Sequence, residues 1–241
     1  MRRHLSLAAG SGLLIILLYA GFGLSPESWT DIPDLKADSP IWRLSMALAY
    51  SALIFLGITL SIGPINLLRQ RPNPVSAMLR RDVGIWTALL ALMHMAVGML
   101  IHSEGLRVWW LFIDSRPSLS DPLPLRLSKF GLANYLGLLQ ASILVGLLLI
   151  SNNRMLRRLE TQRWKTMQRF VYVAFISIAA HGLLYQQVEQ RDGRITSIFI
   201  LFAVSILIVQ LLGVWQYRSK PTNRGFLPNQ MTGNMPGHET P

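Results

Sequence analysis

Cysteine is absent from the 241-residue chain, whereas histidine occurs five times. Without cysteine there is no disulfide framework, no thiolate metal site, no cysteine-bound iron–sulfur cluster and no cysteine nucleophile. Several redox chemistries are therefore excluded. Histidine becomes the obvious side chain for binding a metal.

Charged residues are also scarce. They make up 15% of the chain, against roughly 25% in an average soluble domain. Hydrophobic residues make up 51%, and the mean hydropathy is +0.36. These values favour a membrane protein. The net charge of +11 would suggest nucleic-acid binding only if the basic residues formed a patch on a soluble fold, so we test them first as topology signals.

Long apolar runs predict an all-α, polytopic membrane bundle of six helices. A helix needs about 20 mostly apolar residues to cross a hydrocarbon core of roughly 30 Å. The first run could also be a secretory signal peptide, but we expect it to be retained because its apolar core is long. The six predicted spans are approximately residues 5–24, 43–63, 83–103, 130–150, 168–187 and 195–217.

The distribution of basic residues predicts that both termini are cytoplasmic. With the N-terminus inside, 15 basic and three acidic residues fall on the cytoplasmic side, and eight basic and nine acidic residues fall outside. Lysine and arginine accumulate in cytoplasmic loops, so this asymmetry supports the orientation. It also accounts for the net charge. We therefore expect membrane lipid around the chain and no nucleic-acid partner.

Two regions follow from this pattern: a six-span domain over residues 1–218 and a polar tail over 219–241. The tail is rich in proline, glycine and asparagine and is predicted to be disordered. His238 lies in the tail, and His4 lies at the cytoplasmic edge of the first span. Neither is a promising ligand.

Three histidines lie within predicted spans: His94 and His102 in the third, and His181 in the fifth. An ionisable side chain in a membrane interior is costly, so it is a functional hypothesis by default. His94 lies 13 residues beyond Arg81, roughly 20 Å along a helix, and His181 lies 16 residues beyond Lys165, roughly 24 Å. Both are therefore predicted at similar depth in the outer half, whereas His102 is predicted near the outer surface.

Two imidazoles at matching depth on different helices suggest axial ligands of a haem iron. A lone buried histidine is more often simply hydrogen-bonded to a neighbouring helix. A zinc site would need a third or fourth ligand, and the apolar surroundings of His94 and His181 offer no carboxylate in these spans. A proton pathway is a further alternative, although relays usually include buried carboxylates. Haem fits best.

The stretches RRDVGIWTALLALMH (80–94) and LGLLQASILVGLLLISNNRMLRRLETQRWKTMQRFVYVAFISIAAHGLLYQ (136–186) resemble the ferric-reductase-like transmembrane domain. That family includes ferric reductases, the NADPH-oxidase membrane domain and the haem-binding membrane subunit of bacterial methionine sulfoxide reductase. The resemblance covers roughly residues 45–215. It implies an electron-transfer protein of the bacterial inner membrane, with His94 and His181 at the ligand positions of an outer b-type haem.

One departure concerns the inner haem of that family. The resemblance implies a second histidine in the fifth span, about 13 residues before His181, but this chain has Gln168 there. Glutamine is a poor iron ligand compared with imidazole. We therefore expect one haem b and leave a second in doubt. His102 is a weaker candidate ligand, equally well explained as a polar residue near the surface.

A second departure is the lack of room for flavin and nicotinamide domains. No glycine-rich dinucleotide fingerprint occurs in a strand-to-helix context. The expected function is electron relay from a quinone or a separate flavoprotein to an outside acceptor, such as ferric iron or a redox partner. Whether the chain is itself an oxidoreductase is left open. The alternative is a haem-free membrane scaffold or transport subunit, which Gln168 favours.

Overall fold

The computed structural model describes residues 2–24, 39–70, 74–102, 108–113 and 125–219. Within these ranges the chain forms seven α-helices and one short 3₁₀ turn, Val108–Leu111. The described part contains no β-strand, only an isolated bridge between Ile113 and Leu125. The helices are α1 (Arg2–Gly23), α2 (Pro40–Leu68), α3 (Pro74–His102), α4 (Lys129–Ile150), α5 (Asn153–Gln168), α6 (Phe170–Val188) and α7 (Gly193–Ser219).

Six helices in the described ranges are long and apolar enough to cross a membrane, which confirms the predicted all-α, six-span architecture. The protein is an integral membrane protein. Each predicted span lies within one helix to within a few residues at most ends, but α3 begins nine residues earlier than predicted. The cytoplasmic placement of both termini stays a prediction from the arginine and lysine distribution. The predicted disordered tail lies, from residue 220 onward, outside the described residues.

Helix α2 is the centre of the bundle. In the apolar stretch of α2, 61% of the residues are buried inside the protein, whereas the corresponding share in the other spans is 17% or less. It packs mainly on α3, α1 and α7, while α4 packs mainly on α6. Leu48 and Phe55 of α2 meet Leu90 of α3, with Leu7 of α1 against the same cluster. Each of the other spanning helices therefore has apolar side chains on its outer face, where they can contact lipid.

The two ends of the bundle differ in charge. At the first end, the starts of α1, α3 and α6 meet the ends of α2, α4 and α7; Arg3 lies 3.9 Å from Asp82, and Arg81 donates to Asn153 at 2.6 Å. We call this the basic end. At the opposite end, Phe22 packs edge-on against Trp42. Consecutive spans therefore run in alternating directions.

Helix α5 was not predicted. The strongly basic character of residues 153–167 predicts a cytoplasmic connection, whereas the structure forms a helix there. Asn152 caps the helix by accepting a hydrogen bond from the Met155 amide at 2.8 Å. The backbone at Glu160 has φ 60° and ψ 157°, which breaks α5 into two parts. A single residue, Arg169, then connects it to α6. The span that carries His181 is thus preceded by a broken helical cap.

Candidate functional site

A cavity of about 170 Å³ lies between α2, α3, α4 and α6, with a further contribution from Phe199 of α7. All three histidines singled out from the sequence line it: His94, His102 and His181. Most of the other lining side chains are apolar, including Met46, Leu53, Ala91, Leu138, Leu144 and Ile178. The bundle therefore encloses an apolar space with a few nitrogen ligands, the usual character of a cofactor site.

His94 is held by α2. Its Nδ1 lies 2.9 Å from the Ser45 carbonyl oxygen and 3.1 Å from the Ser45 hydroxyl. A carbonyl oxygen only accepts hydrogen bonds, so Nδ1 carries the proton and donates it. The neutral imidazole then keeps its lone pair on Nε2, which is the form that binds a metal ion.

His181 is held in the same manner by α4. Its Nδ1 donates to the Ala133 carbonyl oxygen at 2.8 Å, which again leaves the lone pair on Nε2. Gly137, one turn along α4, lies directly against the ring: a Cβ added there would be 3.1 Å from Cε1 and 3.2 Å from Nδ1. A glycine at this position therefore allows the imidazole to approach the α4 backbone.

The two histidines thus meet in one cavity, as the depth estimate predicts. They come from different helices and have the same tautomer, and each is oriented by a backbone carbonyl of a third or fourth helix. Hydrogen bonds from the non-coordinating nitrogen are the usual way in which proteins fix a histidine ligand. The carbonyl partners Ser45 and Ala133 were not identified from the sequence, since every residue has a carbonyl.

His102 lines the same cavity and is linked to His181 through Tyr185, whose ring lies 5.4 Å from that of His102 and 4.8 Å from that of His181. The Nε2 of His102 is 3.7 Å from Glu189 Oε1, and its ring contacts that of Phe130 at a centroid distance of 5.8 Å. Its side chain is 20% exposed, and its interpretation as a polar residue near the surface stays a prediction. A ligand role for His102 stays a prediction.

A buried ion pair beside His102 was missed. Glu189 is only 2% exposed and lines the cavity, and its Oε2 accepts from Arg191 Nη2 at 2.7 Å and Nε at 2.8 Å. The predicted spans contain no carboxylate near His94 and His181, but Glu189, just beyond the fifth span, lines the same cavity and lies 3.7 Å from His102. Glu189 follows the last residue of α6 in the polar stretch QQVEQRD, which reads as a connecting loop rather than a buried site.

A second, smaller cavity of about 40 Å³ lies in the half of the bundle nearer the basic end. Gln168 lines it and donates through Nε2 to Ser151 Oγ at 3.4 Å. Arg80, Arg81 and the hydroxyls of two threonines also line it, and the lining contains no histidine. Gln168, at the position where the resemblance implies an inner ligand, thus lines a small cavity that contains polar groups.

The described part of the chain contains no cluster that could hold a metal ion through three or more side chains of histidine, cysteine, aspartate or glutamate. A zinc site built from several protein ligands therefore has no support among these residues. The pair formed by His94 and His181 matches the alternative, in which the protein supplies two ligands and a macrocycle supplies the rest.

No family model matches the chain. Its sequence is, however, 31% identical over 176 residues to a protein of Brucella anthropi, with 70% of each chain covered. A Brucella ovis protein is 30% identical over 181 residues, covering 73% of this chain and 72% of its own. Both are named haem-binding subunit MsrQ of a protein-methionine-sulfoxide reductase. This chain belongs to the MsrQ family.

A third MsrQ, from Herminiimonas arsenicoxydans, is 28% identical over 192 residues and covers 78% of this chain and 79% of its own. Membership of the MsrQ family confirms the ferric-reductase-like resemblance stated from the histidine motifs. These bacterial relatives, together with the six spans, also support the predicted location in the bacterial inner membrane.

Proposed function

We propose that the chain is the haem-binding, electron-transferring membrane subunit of a protein-methionine-sulfoxide reductase. One b-type haem is held in the 170 Å³ cavity by Nε2 of His94 and Nε2 of His181. The observation that carries the proposal is the pairing itself. Two neutral imidazoles on different helices share one apolar cavity, and each donates its Nδ1 proton to a backbone carbonyl.

The residues present fit a haem. The cavity walls are mainly apolar, as the macrocycle requires. Gly98 leaves room along α3, whereas Gly137 and Gly182 are packed against His181 and Phe199. Fixed imidazoles suit a cofactor that changes only its charge, since both oxidation states keep the same two ligands. When bound, the haem supplies a site for one electron at a time. The chain holds the imidazoles in place and keeps bulk water away from the iron.

We propose a single haem per chain. An inner haem would need an iron ligand at the basic end of the fifth span, where Gln168, the last residue of α5, presents an amide that is already hydrogen-bonded to Ser151. His4 is the histidine of the described part nearest that end, but it is half-exposed and its Nε2 lies 3.8 Å from Asp82. The inner cavity, at about 40 Å³, is less than a quarter of the volume of the outer one.

The printed names of the relatives favour a methionine-sulfoxide-reducing partner protein over ferric iron as the electron acceptor. The haem position supports this choice, because His94 and His181 lie toward the opposite end from the basic one, and that end is the predicted outside. The donor is a quinone or a separate flavoprotein. With one haem, a donor at the basic end would face a long gap, so a quinone within the membrane is the better placed of the two.

The test is the haem content of the full chain purified from membranes. We expect one haem per chain and the reduced-minus-oxidised bands of a b-type haem with two histidine ligands. Reoxidation of the reduced protein should be faster with the partner reductase than with ferric citrate. A preparation that binds no haem when haem is supplied in excess would support the haem-free scaffold instead. Two haems per chain would contradict the single-haem proposal alone.

A glycine substitution tests whether His181 is held as described. Gly137→Ala places a methyl group about 3.1 Å from the imidazole, so the ring must shift away from α4. We expect several-fold weaker haem retention, although alanine favours a helix interior by roughly 1 kcal/mol over glycine. Retention is measured as the rate of haem transfer to apomyoglobin. Gly146→Ala on the same helix is the matched control, because nothing lies within 4 Å of its added Cβ.

A further inference from the structure

The helical cap α5 carries an exposed basic face that haem binding does not explain. Residues 153–169 contain six basic side chains and a single acidic one, Glu160. All six basic residues are exposed: Arg154, Arg157, Arg158, Arg163, Lys165 and Arg169. Such a concentration of one charge, next to a membrane span, needs a counter-charge from outside the segment.

Both ends of α5 are fastened to the basic end of the bundle. At its start, Asn153 accepts a hydrogen bond from Arg81 of α3 at 2.6 Å. Near its end, Trp164 donates through Nε1 to the Ile150 carbonyl oxygen at 2.9 Å, where α4 terminates. Gln168 then bonds to Ser151 at 3.4 Å. The cap therefore lies beside the last residues of α4 and includes the start of the fifth candidate span, Gln162–Val188. The ends of spans are where bilayer headgroups are expected.

The cap has two different sides. Met155, Leu156, Leu159 and Trp164 are half-buried, whereas the six basic side chains are exposed. This division is typical of helices that lie at a membrane surface, with cations directed at the headgroups and apolar residues directed at the protein or the acyl chains. The turn at Glu160, with its φ of 60°, lets the cap fold back instead of continuing into solvent.

Carboxylates of the chain itself do not balance this charge. In the described ranges, only two acidic residues lie at the basic end, namely Asp82 and Glu160. Asp82 is buried, and its carboxylate already lies within 3.9 Å of Arg3, His4 and Arg81. Glu160 is the single acidic residue among six exposed cations in this segment. The face is therefore strongly cationic and complementary to an anionic partner.

We propose that the exposed basic face of α5 binds the phosphate groups of anionic phospholipids in the adjacent leaflet. A lipid suits this face better than an acidic protein does, because the cap lies at the ends of two membrane spans, where headgroups are expected. Clusters of lysine and arginine beside a span attract anionic headgroups by charge. The bound lipids would also fix the start of α6, the helix that carries His181. This proposal does not depend on haem binding.

The experiment compares lipid binding in nanodiscs made from phosphatidylcholine and phosphatidylglycerol in a 3:1 ratio. The full chain is extracted gently, and the lipids that remain bound are quantified. We expect phosphatidylglycerol to be enriched several-fold over its share in the disc. The enrichment should fall toward that share in the variant carrying Arg157→Gln and Arg158→Gln, and raised salt should weaken it. Arg157→Lys with Arg158→Lys should keep most of it.

The matched control removes the same charge from the other end, by Lys129→Gln with Arg194→Gln, and should keep the enrichment. Unchanged haem content and a monodisperse elution profile show that each variant is folded. Equal retention of both lipids by the wild type would overturn the proposal, as would loss of enrichment in the control variant only. Binding of polyglutamate to the wild type in pure phosphatidylcholine discs, without any preference for phosphatidylglycerol, would assign the face to an acidic protein instead.

Discussion

Replacing either His94 or His181 with alanine should remove the six-coordinate haem spectrum and most of the bound haem. Each substitution deletes one of the two proposed haem ligands. His102 lines the same cavity, but its Nε2 lies 3.7 Å from Glu189 and the proposal does not include it as a ligand. The measurement is the haem-to-protein ratio of the purified variant, together with the position and intensity of the Soret and α bands. Neither variant should transfer electrons.

Two controls separate ligation from folding. His102→Ala should keep the wild-type ratio and spectrum, since the proposed pair does not include it. Adding imidazole to His94→Ala should restore a six-coordinate spectrum, because the free ligand can enter the space left by the side chain. Full haem content with an unchanged spectrum in both alanine variants would refute the pairing.

The second large effect is expected from Glu189→Ala. Arg191, whose side chain is only 10% exposed, would keep its charge but lose a carboxylate at 2.7 and 2.8 Å. Removing one partner of a buried ion pair typically destabilises a protein by about 3–5 kcal/mol. We therefore expect the largest loss of stability among the single substitutions considered, visible as a lower unfolding temperature in detergent.

A double-mutant cycle with Arg191→Met isolates the pair. The double variant should be more stable than Glu189→Ala alone, since it no longer buries an unpaired cation. Glu160→Ala serves as the surface comparison, because Glu160 is exposed and its loss should change stability little. If the effects of the two buried substitutions simply add, the ion pair does not stabilise the fold.

The six spans could be predicted because lipid imposes a simple rule on length and composition. Twenty or so apolar residues bounded by charge leave few alternatives, and the 1.5 Å rise of a helix converts residue spacing into depth. That conversion predicts matching depths for His94 and His181, which line one cavity. It also predicts His102 nearer the surface, although His102 lines the same cavity. The proximity of His94 and His181 can thus be predicted from the sequence, although their ligand role stays a prediction until haem is measured.

The rest of the site depends on contacts that leave little trace in a sequence. The Ser45 and Ala133 carbonyls orient the histidines, but any residue supplies a carbonyl. Glu189 becomes buried because Arg191 folds back on it, a pairing that a polar stretch does not reveal. Helix α5 was missed because its charge reads as a loop, and its break at Glu160 depends on local backbone geometry. The carbonyl partners, the burial of Glu189 and the break in α5 all depend on tertiary structure.

Gln168 shows how sequence and structure complement each other. The sequence marks it as a departure, since the resemblance implies a histidine at that position. The structure adds that Gln168 lines a small cavity of about 40 Å³, whose walls combine apolar residues with hydroxyl, amide and guanidinium groups.

The hydrogen bonds of the two histidines connect four helices of the bundle as two pairs. His94 connects α3 to α2, and His181 connects α6 to α4, while the two pairs contact each other mainly along α3 and α4. A group bound by both imidazoles would cross-link these pairs in the outer half of the membrane. Because a ligand that binds only the folded state stabilises it, haem should raise the stability of the contact between the two pairs.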